Sequence, residues 1–415
     1  MQPEEARAVG ELAGEAAAGL AAQIRDVHRG IAGRVFGLLG PSAAPTRVMH
    51  DGIAAAAYAG ARALTGTLVR GSAFAYGMTR PSDAPSLEDS VPGRLAVGAL
   101  NGAWGDRLER RQSALARAMT IRRGGRDLAL GASALRAAVP DARPRLALFI
   151  HGLCETDDAW RLRADRFRPY GDVLESGHGY TSLYLRYNSG LHISANGRRL
   201  AEMLAELCAA WPVEVAEITL VGHSMGGLVS RSALHYAAEG SWRERVRHVV
   251  MLGTPHKGAP LELAANAACH GLSRLPETRP LATPLKVRAV GIKDLGYGYV
   301  VDEDWQGNDP DAFWYDDTGT VIPFLMSANH YFVSATLTRD PDARLGRWVG
   351  DLLVLRPSAW SHEGQGERLQ FPIDRYSHLG GAHHFDLLNH PAVRAQIETW
   401  LSSGRELPVA VGQRP

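Results

Sequence analysis

The chain has 415 residues, and its 45 Lys+Arg against 44 Asp+Glu leave a formal net charge of +1, which argues against nucleic acid or a strongly charged substrate as a partner. Its three cysteines, Cys154, Cys208 and Cys269, are too few and too scattered for a disulfide framework or a metal cluster, and they read as free buried thiols. The length allows one large domain with additions, or two domains.

The start of the chain is acidic and lacks the basic-then-apolar layout of an export signal, so a reducing, cytoplasmic location is expected. The first part, 1–117, reads as helical. Ile24, Val27, Ile31, Val35 and Leu38 recur every three or four residues, with Arg25, Asp26, Arg29 and Arg34 on the other side. Asp51 can cap the Ala-rich segment after it. The most apolar stretch, Ile53 to Met78, is broken by Arg62 and Arg70 and makes a poor membrane span. After a loop at Pro81 to Ser86, a further helix runs from Pro92 towards Arg111. These helices read as packing against the main domain, a cap over its active site, a dimer surface or a membrane-surface patch, and the oligomeric state stays open.

From about Ala118 the pattern changes. Met119 to Arg122 and Arg126 to Leu130 flank Gly124-Gly125 as a β-hairpin would. Leu146 to Ile150 is an apolar run, as expected for a strand buried on both faces of a parallel sheet. Ser182 to Leu185, Ile218 to Val221, Val246 to Leu252 and Tyr331 to Ala335 read the same way. Helical patterns at Ala195 to Trp211 and Ser224 to Ala238 separate several of them, and a last helix lies near Pro391 to Leu401. Strands alternating with helices predict a mostly parallel, doubly wound α/β sheet over 118–403, followed by a tail at 404–415. Between 257 and 323 the alternation fails. This stretch carries Tyr297, Tyr299, Trp305, Phe313, Trp314 and Tyr315 among Gly, Pro and Asp, and is expected to form a lid-like insertion or acyl-binding wall.

The chemistry is carried by Gly222-His223-Ser224-Met225-Gly226-Gly227, which follows the strand Glu217 to Val221 and opens a helix. A Gly-x-Ser-x-Gly in that setting is a nucleophile elbow. The turn is so tight that side chains at its flanks would collide with backbone, and it presents the hydroxyl of Ser224 above the sheet. The first amides of the following helix face the place where an oxyanion would form. One oxyanion donor is then the N–H of Met225. The other is the N–H of Leu153, in the loop His151-Gly152-Leu153 after the strand Leu146 to Ile150. His151 reads as a residue bracing that loop.

A serine hydroxyl needs a base, and the base needs an acid to orient it, in the chain order Ser, acid, His. His384 is the first choice for the base, because it directly precedes the Phe385-Asp386-Leu387-Leu388 start of the final helix, and His383 is the reserve. His378 and His390 read as supporting residues, while His28, His50, His235 and His248 read as satisfied or exposed rings. For the acid, Asp351 in Gly350-Asp351-Leu352-Leu353-Val354 lies in the right interval on an apolar segment, where a carboxylate needs a partner. Asp340 and Asp342 share the interval but sit in a Pro-containing turn.

Taken together, His151-Gly152-Leu153, the Ser224 elbow, Gly253-Thr254-Pro255-His256, the Asp351 segment and His384-Phe385-Asp386 resemble the α/β-hydrolase fold lipases and esterases. The likeness extends to bacterial triacylglycerol lipases and to deacylases of lipid-linked inositol, and covers about Ala118 to Leu401. It implies a Ser224, Asp351, His384 triad with an oxyanion hole from Leu153 and Met225. The activity implied is serine carboxylic-ester hydrolysis of lipophilic acyl esters through an acyl-enzyme, with no cofactor required. Acyl transfer by the same triad, and a non-catalytic lipid- or partner-binding module, are the alternatives. Peripheral lipid-surface contact goes with the first of these readings. Some of these lipases hold calcium with an Asp just after the catalytic His, which Asp386 would match. No second ligand stands out, since Asp302, Asp304, Asp309 and Asp311 read as exposed loop acids, and a helix cap is the simpler role for Asp386.

Overall fold

The computed structural model describes residues 1–39, 44–81, 83–259, 266, 268–276, 278–280, 282, 287–309, 311, 319–338 and 375–403. Packing divides the chain into two compact units. One holds Met1–Val97, Arg107–Ala116 and Leu263–Arg288; the other holds Gly98–Asp106, Arg117–Glu262 and the chain from Ala289 onward.

The larger unit is built on an eight-stranded sheet in the order β2-β1-β4-β3-β5-β6-β7-β8. The strands are β1 (Thr120–Arg123), β2 (Arg126–Asp127), β3 (Arg145–Ile150), β4 (Tyr180–Arg186), β5 (Glu217–His223), β6 (Val246–Leu252), β7 (Asn329–Thr336) and β8 (Tyr376–Gly380). β1 is antiparallel to β2 and β4, and the pairs from β4 through β8 are all parallel. The β1–β2 hairpin turns through Gly124 and Gly125 at φ 57° and 77°, the double positive φ that a two-residue turn requires.

Both faces of the sheet are covered, which is why the central strands read as apolar runs rather than alternating ones. On β3 and β5, Leu146, Leu148, Ile150, Ile218 and Leu220 join one buried cluster. Ala147, Phe149 and Val221 join the other. The helices α4 (Ala132–Ala138), α5 (Tyr170–His178), α6 (Ile193–Ala210), α7 (Met225–Tyr236), α8 (Val290–Tyr297) and α9 (Pro391–Ser403) belong to this unit. α5 stops at Gly179, whose φ of 71° is the left-handed cap that ends helices. Of the buried indoles, Trp242 Nε1 donates to the Ala201 carbonyl at 3.0 Å, whereas Trp160 Nε1 has no hydrogen-bond partner among the described residues.

The smaller unit is helical. Its core is the pair α1 (Pro3–Leu39) and α2 (Ala44–Met78). α1 begins with a proline and two glutamates, which suit a helix start. Close approach of the two helices is permitted by small residues. A Cβ at Gly10 would stand 2.0 Å from that of Ala73. Both units share α3 (Val91–Arg110), capped by the Ser90 hydroxyl on Gly93 N–H at 3.1 Å.

β8, α4 and α5 were not anticipated from the sequence. Of the three free cysteines Cys269 is buried, but Cys154 is exposed. No described helix is long and apolar enough to cross a membrane.

Candidate active site

Ser224 stands between the end of β5 and the start of α7, with φ 53° and ψ −123°. A non-glycine residue costs on the order of 1–3 kcal/mol in such a conformation, so the surrounding structure has to hold it there. Two main-chain bonds do so: Ser224 N–H donates to the Leu252 carbonyl at 2.7 Å, and Gly227 N–H donates to the Ser224 carbonyl at 3.1 Å. The residue is buried, at 7% exposure.

The loop after β3 lies directly against it. A Cβ on Gly152 would fall 3.0 Å from Ser224 Cβ, tighter than ordinary packing, so any larger residue would have to push Ser224 or the loop aside. His151 is fully buried and braces the loop. Its ring stacks on Tyr187 at 4.3 Å, its Nδ1 is 2.8 Å from the Gly152 carbonyl, and its Nε2 accepts Tyr187 N–H at 3.4 Å. Tyr187 hydroxyl in turn donates to the His151 carbonyl at 2.8 Å. Burial lowers the His151 ring to about 4, so it is neutral at pH 7.

The amides on either side of Leu153 are committed. Gly152 N–H donates to Glu155 Oε2 at 2.7 Å, and Cys154 N–H donates to Ser189 Oγ at 3.1 Å. Among the described residues no hydrogen bond engages the Leu153 N–H. Met225 is the first residue of α7, where an N–H has no intrahelical acceptor.

The acid that organises this corner was not foreseen. The Glu155 side chain is 9% exposed, with one carboxylate oxygen 2.8 Å from His223 Nδ1 and the other on Gly152 N–H. Burial alone would raise its carboxyl, but the His223 ring and the Gly152 N–H outweigh that and hold it below the ordinary glutamate value. The one signal in the sequence was its isolation, an acid directly after the uncharged run Leu146 to Cys154.

The two histidines of the His383-His384 pair point to different surroundings. The His384 ring is 2% exposed and lies 4.7 Å from the His223 ring, next to the residue that precedes Ser224. Its Cε1 and Nδ1 would meet a Cβ on Gly253 at 2.9 and 3.1 Å, so Gly253, at φ 60°, leaves the room the ring occupies. The His383 ring is 42% exposed and 3.3 Å from Asp386. Asp386 caps this turn, accepting His383 N–H at 2.8 Å, and pairs with Arg163. That is the cap role rather than an open metal ligand.

A clamp fixes the His loop to the rest of the unit. The Tyr170 hydroxyl donates to the Leu387 carbonyl at 2.7 Å. Asn389, itself at φ 61°, donates to the Trp160 and Leu162 carbonyls at 2.9 Å each and accepts Tyr170 N–H at 3.1 Å. His378 supports the neighbouring strand pair through Ser334 and Thr336, at 2.7 and 3.0 Å. The predicted acid Asp351 lies outside the described residues, as do Asp340 and Asp342.

Within the predicted 257–323 insertion, residues 289–309 are anchored. Asp294 is buried, bonds His192 Nδ1 at 3.0 Å and accepts Ile193 N–H at 2.9 Å. Trp305 stacks on His192 at 3.9 Å. Asp304, expected as an exposed acid, is buried and accepts the N–H groups of Val300, Val301 and Thr320. Phe313, Trp314 and Tyr315 are outside the described residues. Among the described residues no group of three or more His, Cys, Asp or Glu could hold a metal ion.

Residues 143–309 match the model of the family described as the PGAP1-like alpha/beta domain. No curated protein matches the chain in sequence. Among solved structures it is similar to the mature lipase BlEst2 of Bacillus licheniformis, at 20% identity over 63% of this chain and 92% of that one, with a TM-score of 0.39. It is similar to the phospholipase PlaB of Legionella pneumophila at 14% identity, over 63% and 60% of the two chains, with a TM-score of 0.38. For the carboxylesterase CesB of Bacillus subtilis the values are 11%, 64%, 85% and 0.32. The strained serine where β5 gives way to α7 lies inside the stretch 143–309 that is similar to the PGAP1-like alpha/beta domain, on a mostly parallel, eight-stranded α/β sheet.

Proposed function

We propose that the protein is a serine carboxylic-ester hydrolase acting on lipophilic acyl esters through an acyl-enzyme. The observation that carries this reading is Ser224 held at φ 53° on the elbow, with the buried His384 ring packed on its neighbour His223. Ser224 attacks the ester carbonyl, and His384 takes its proton and returns it to the leaving alcohol. The N–H groups of Leu153 and Met225 receive the oxyanion, and water then repeats the sequence to release the acid. Asp351 is assigned as the acid behind His384 from chain order alone.

The anchored stretch 289–309 serves in this reading as a fixed wall of the acyl site, because a moving lid would have to break the buried Asp294 and Asp304 bonds. Turnover of p-nitrophenyl esters of graded acyl length, measured beside Ser224→Ala, tests the assignment. Loss of turnover together with acylation of the Ser224 peptide in the wild type is expected. An alanine variant that retained full turnover would overturn it. Added alcohol that outcompeted water as acyl acceptor would favour the transferase instead.

A further inference from the structure

We infer that the α1–α2 hairpin is a docking surface for an anionic phospholipid bilayer, with α2 lying flat on it. Met49, Ile53, Leu64, Leu68, Phe74 and Met78 are each between 51% and 72% exposed. At about 100° per residue all six fall within about 60° of Ile53 around the helix axis, in one stripe. The smaller residues on the same face, such as Ala57, Gly60 and Gly71, are also exposed and uncharged. From Met49 to Met78 the only Asp, Glu, Lys or Arg residues are Asp51, Arg62 and Arg70. Each projects about 100° or more away from the centre of the stripe. The result is a charge-free apolar band running along about 45 Å of helix.

Two features decide what covers it. The first is periodicity: the band keeps the 3.6-residue period of a straight helix and is about 120° wide, which suits a plane. A second helix wound around α2 would call for the narrower 3.5-residue seam of a coiled coil. The second is charge. Residues 18–70 hold six arginines against two aspartates, a surplus of four positive charges, whereas the acids Glu4, Glu5, Glu11 and Glu15 are confined to the first half of α1, with Arg7, so the positive charge of the hairpin is concentrated away from that end. Both aspartates already face arginines of their own helix, Asp26 beside Arg25 at 2.7 Å and Asp51 beside Arg47 at 3.6 Å. An apolar face with an arginine-rich remainder is the composition of a helix resting in an anionic lipid interface. No described helix can cross the bilayer, so the hairpin rests on it.

The test is co-sedimentation of the full chain with vesicles of phosphatidylcholine alone and of phosphatidylcholine mixed with an equal part of phosphatidylglycerol. Binding to the mixed vesicles should exceed binding to phosphatidylcholine by about ten-fold or more and should weaken as salt rises to about 0.5 M. The double variant Leu64→Glu/Leu68→Glu should bind the mixed vesicles at least about ten-fold more weakly, with its melting temperature unchanged. Phe74→Trp should shift its emission to the blue when mixed vesicles are added. Equal binding by the double variant, or no vesicle binding by the wild type, would overturn the inference. So would a double variant that melts several degrees lower or turns a wild-type dimer into a monomer, since protein would then be what covers the face.

Discussion

The Glu155 carboxylate bonds both Gly152 N–H, at 2.7 Å, and His223 Nδ1, at 2.8 Å, so one acid ties the loop after β3 to the residue before Ser224. Neutralising it keeps the shape and removes the charge. Glu155→Gln is expected to lower kcat by about 10- to 100-fold with KM nearly unchanged, and to cost about 2 kcal/mol of stability. Glu155→Asp should recover part of kcat. Steady-state kinetics beside urea denaturation separate the two effects, and a stability loss at full kcat would make the pair a purely structural tie.

His384 and His383 provide an internal control. Replacing the buried His384 by Ala should reduce kcat by about 10³-fold or more, as loss of a general base does. His383→Ala removes an exposed ring whose contacts are Asp386, Arg163 and Phe385, and activity should stay within about ten-fold of wild type. The reverse order of effects would transfer the base to His383.

The clamp under the His loop should be felt at the active site. Asn389→Ala removes two donated bonds and one accepted bond, all buried or partly so. A stability loss of about 2–4 kcal/mol is expected, with a fall in kcat as His384 loses its fixed seat. Tyr170→Phe removes one hydroxyl bond and should cost about 1 kcal/mol. Thermal melts and single-turnover kinetics on both variants test the ranking.

Gly253→Ala combines two penalties, a φ of 60° and a Cβ 2.9 Å from the His384 ring. The strain should amount to about 1–2 kcal/mol, and the displaced ring should cost activity beyond what the melt predicts.

Acid should destabilise the fold through buried rings that stay neutral. Burial lowers His151, His248 and His330 to about 4 from the ordinary 6.5. Between those values the unfolded chain binds protons that the folded chain refuses, so stability falls as pH drops from about 6.5 to about 4. Above that window these rings contribute no slope. Denaturation midpoints measured from pH 8 to pH 4.5 should be flat at first and then decline, and a flat profile throughout would rule these rings out as the cause.

The readability of the chain followed the range of the forces involved. β3, β5, β6 and β7 were visible because burial on both faces turns a strand into an apolar run, and α6 and α7 because their periodicity is local. β8, with the sequence Tyr376-Ser377-His378-Leu379-Gly380, is short, polar and only half-buried. It exists because β7 offers it an edge, and no local pattern records that. The elbow was legible because strand, glycines and helix adjoin in sequence. Glu155 was not, because its burial makes sense only beside His223, 68 positions away. The turn of His384 inward and His383 outward rests likewise on contacts with Gly253, Arg163 and Asp386 that sequence spacing does not encode.

His223 and His384 touch across 161 positions of chain. A ribosome has to release nearly the whole α/β unit before these two histidines can meet. This corner of the unit therefore closes only late in synthesis, and any fragment that stops short of the His loop leaves the His223 ring without the contact that His384 provides.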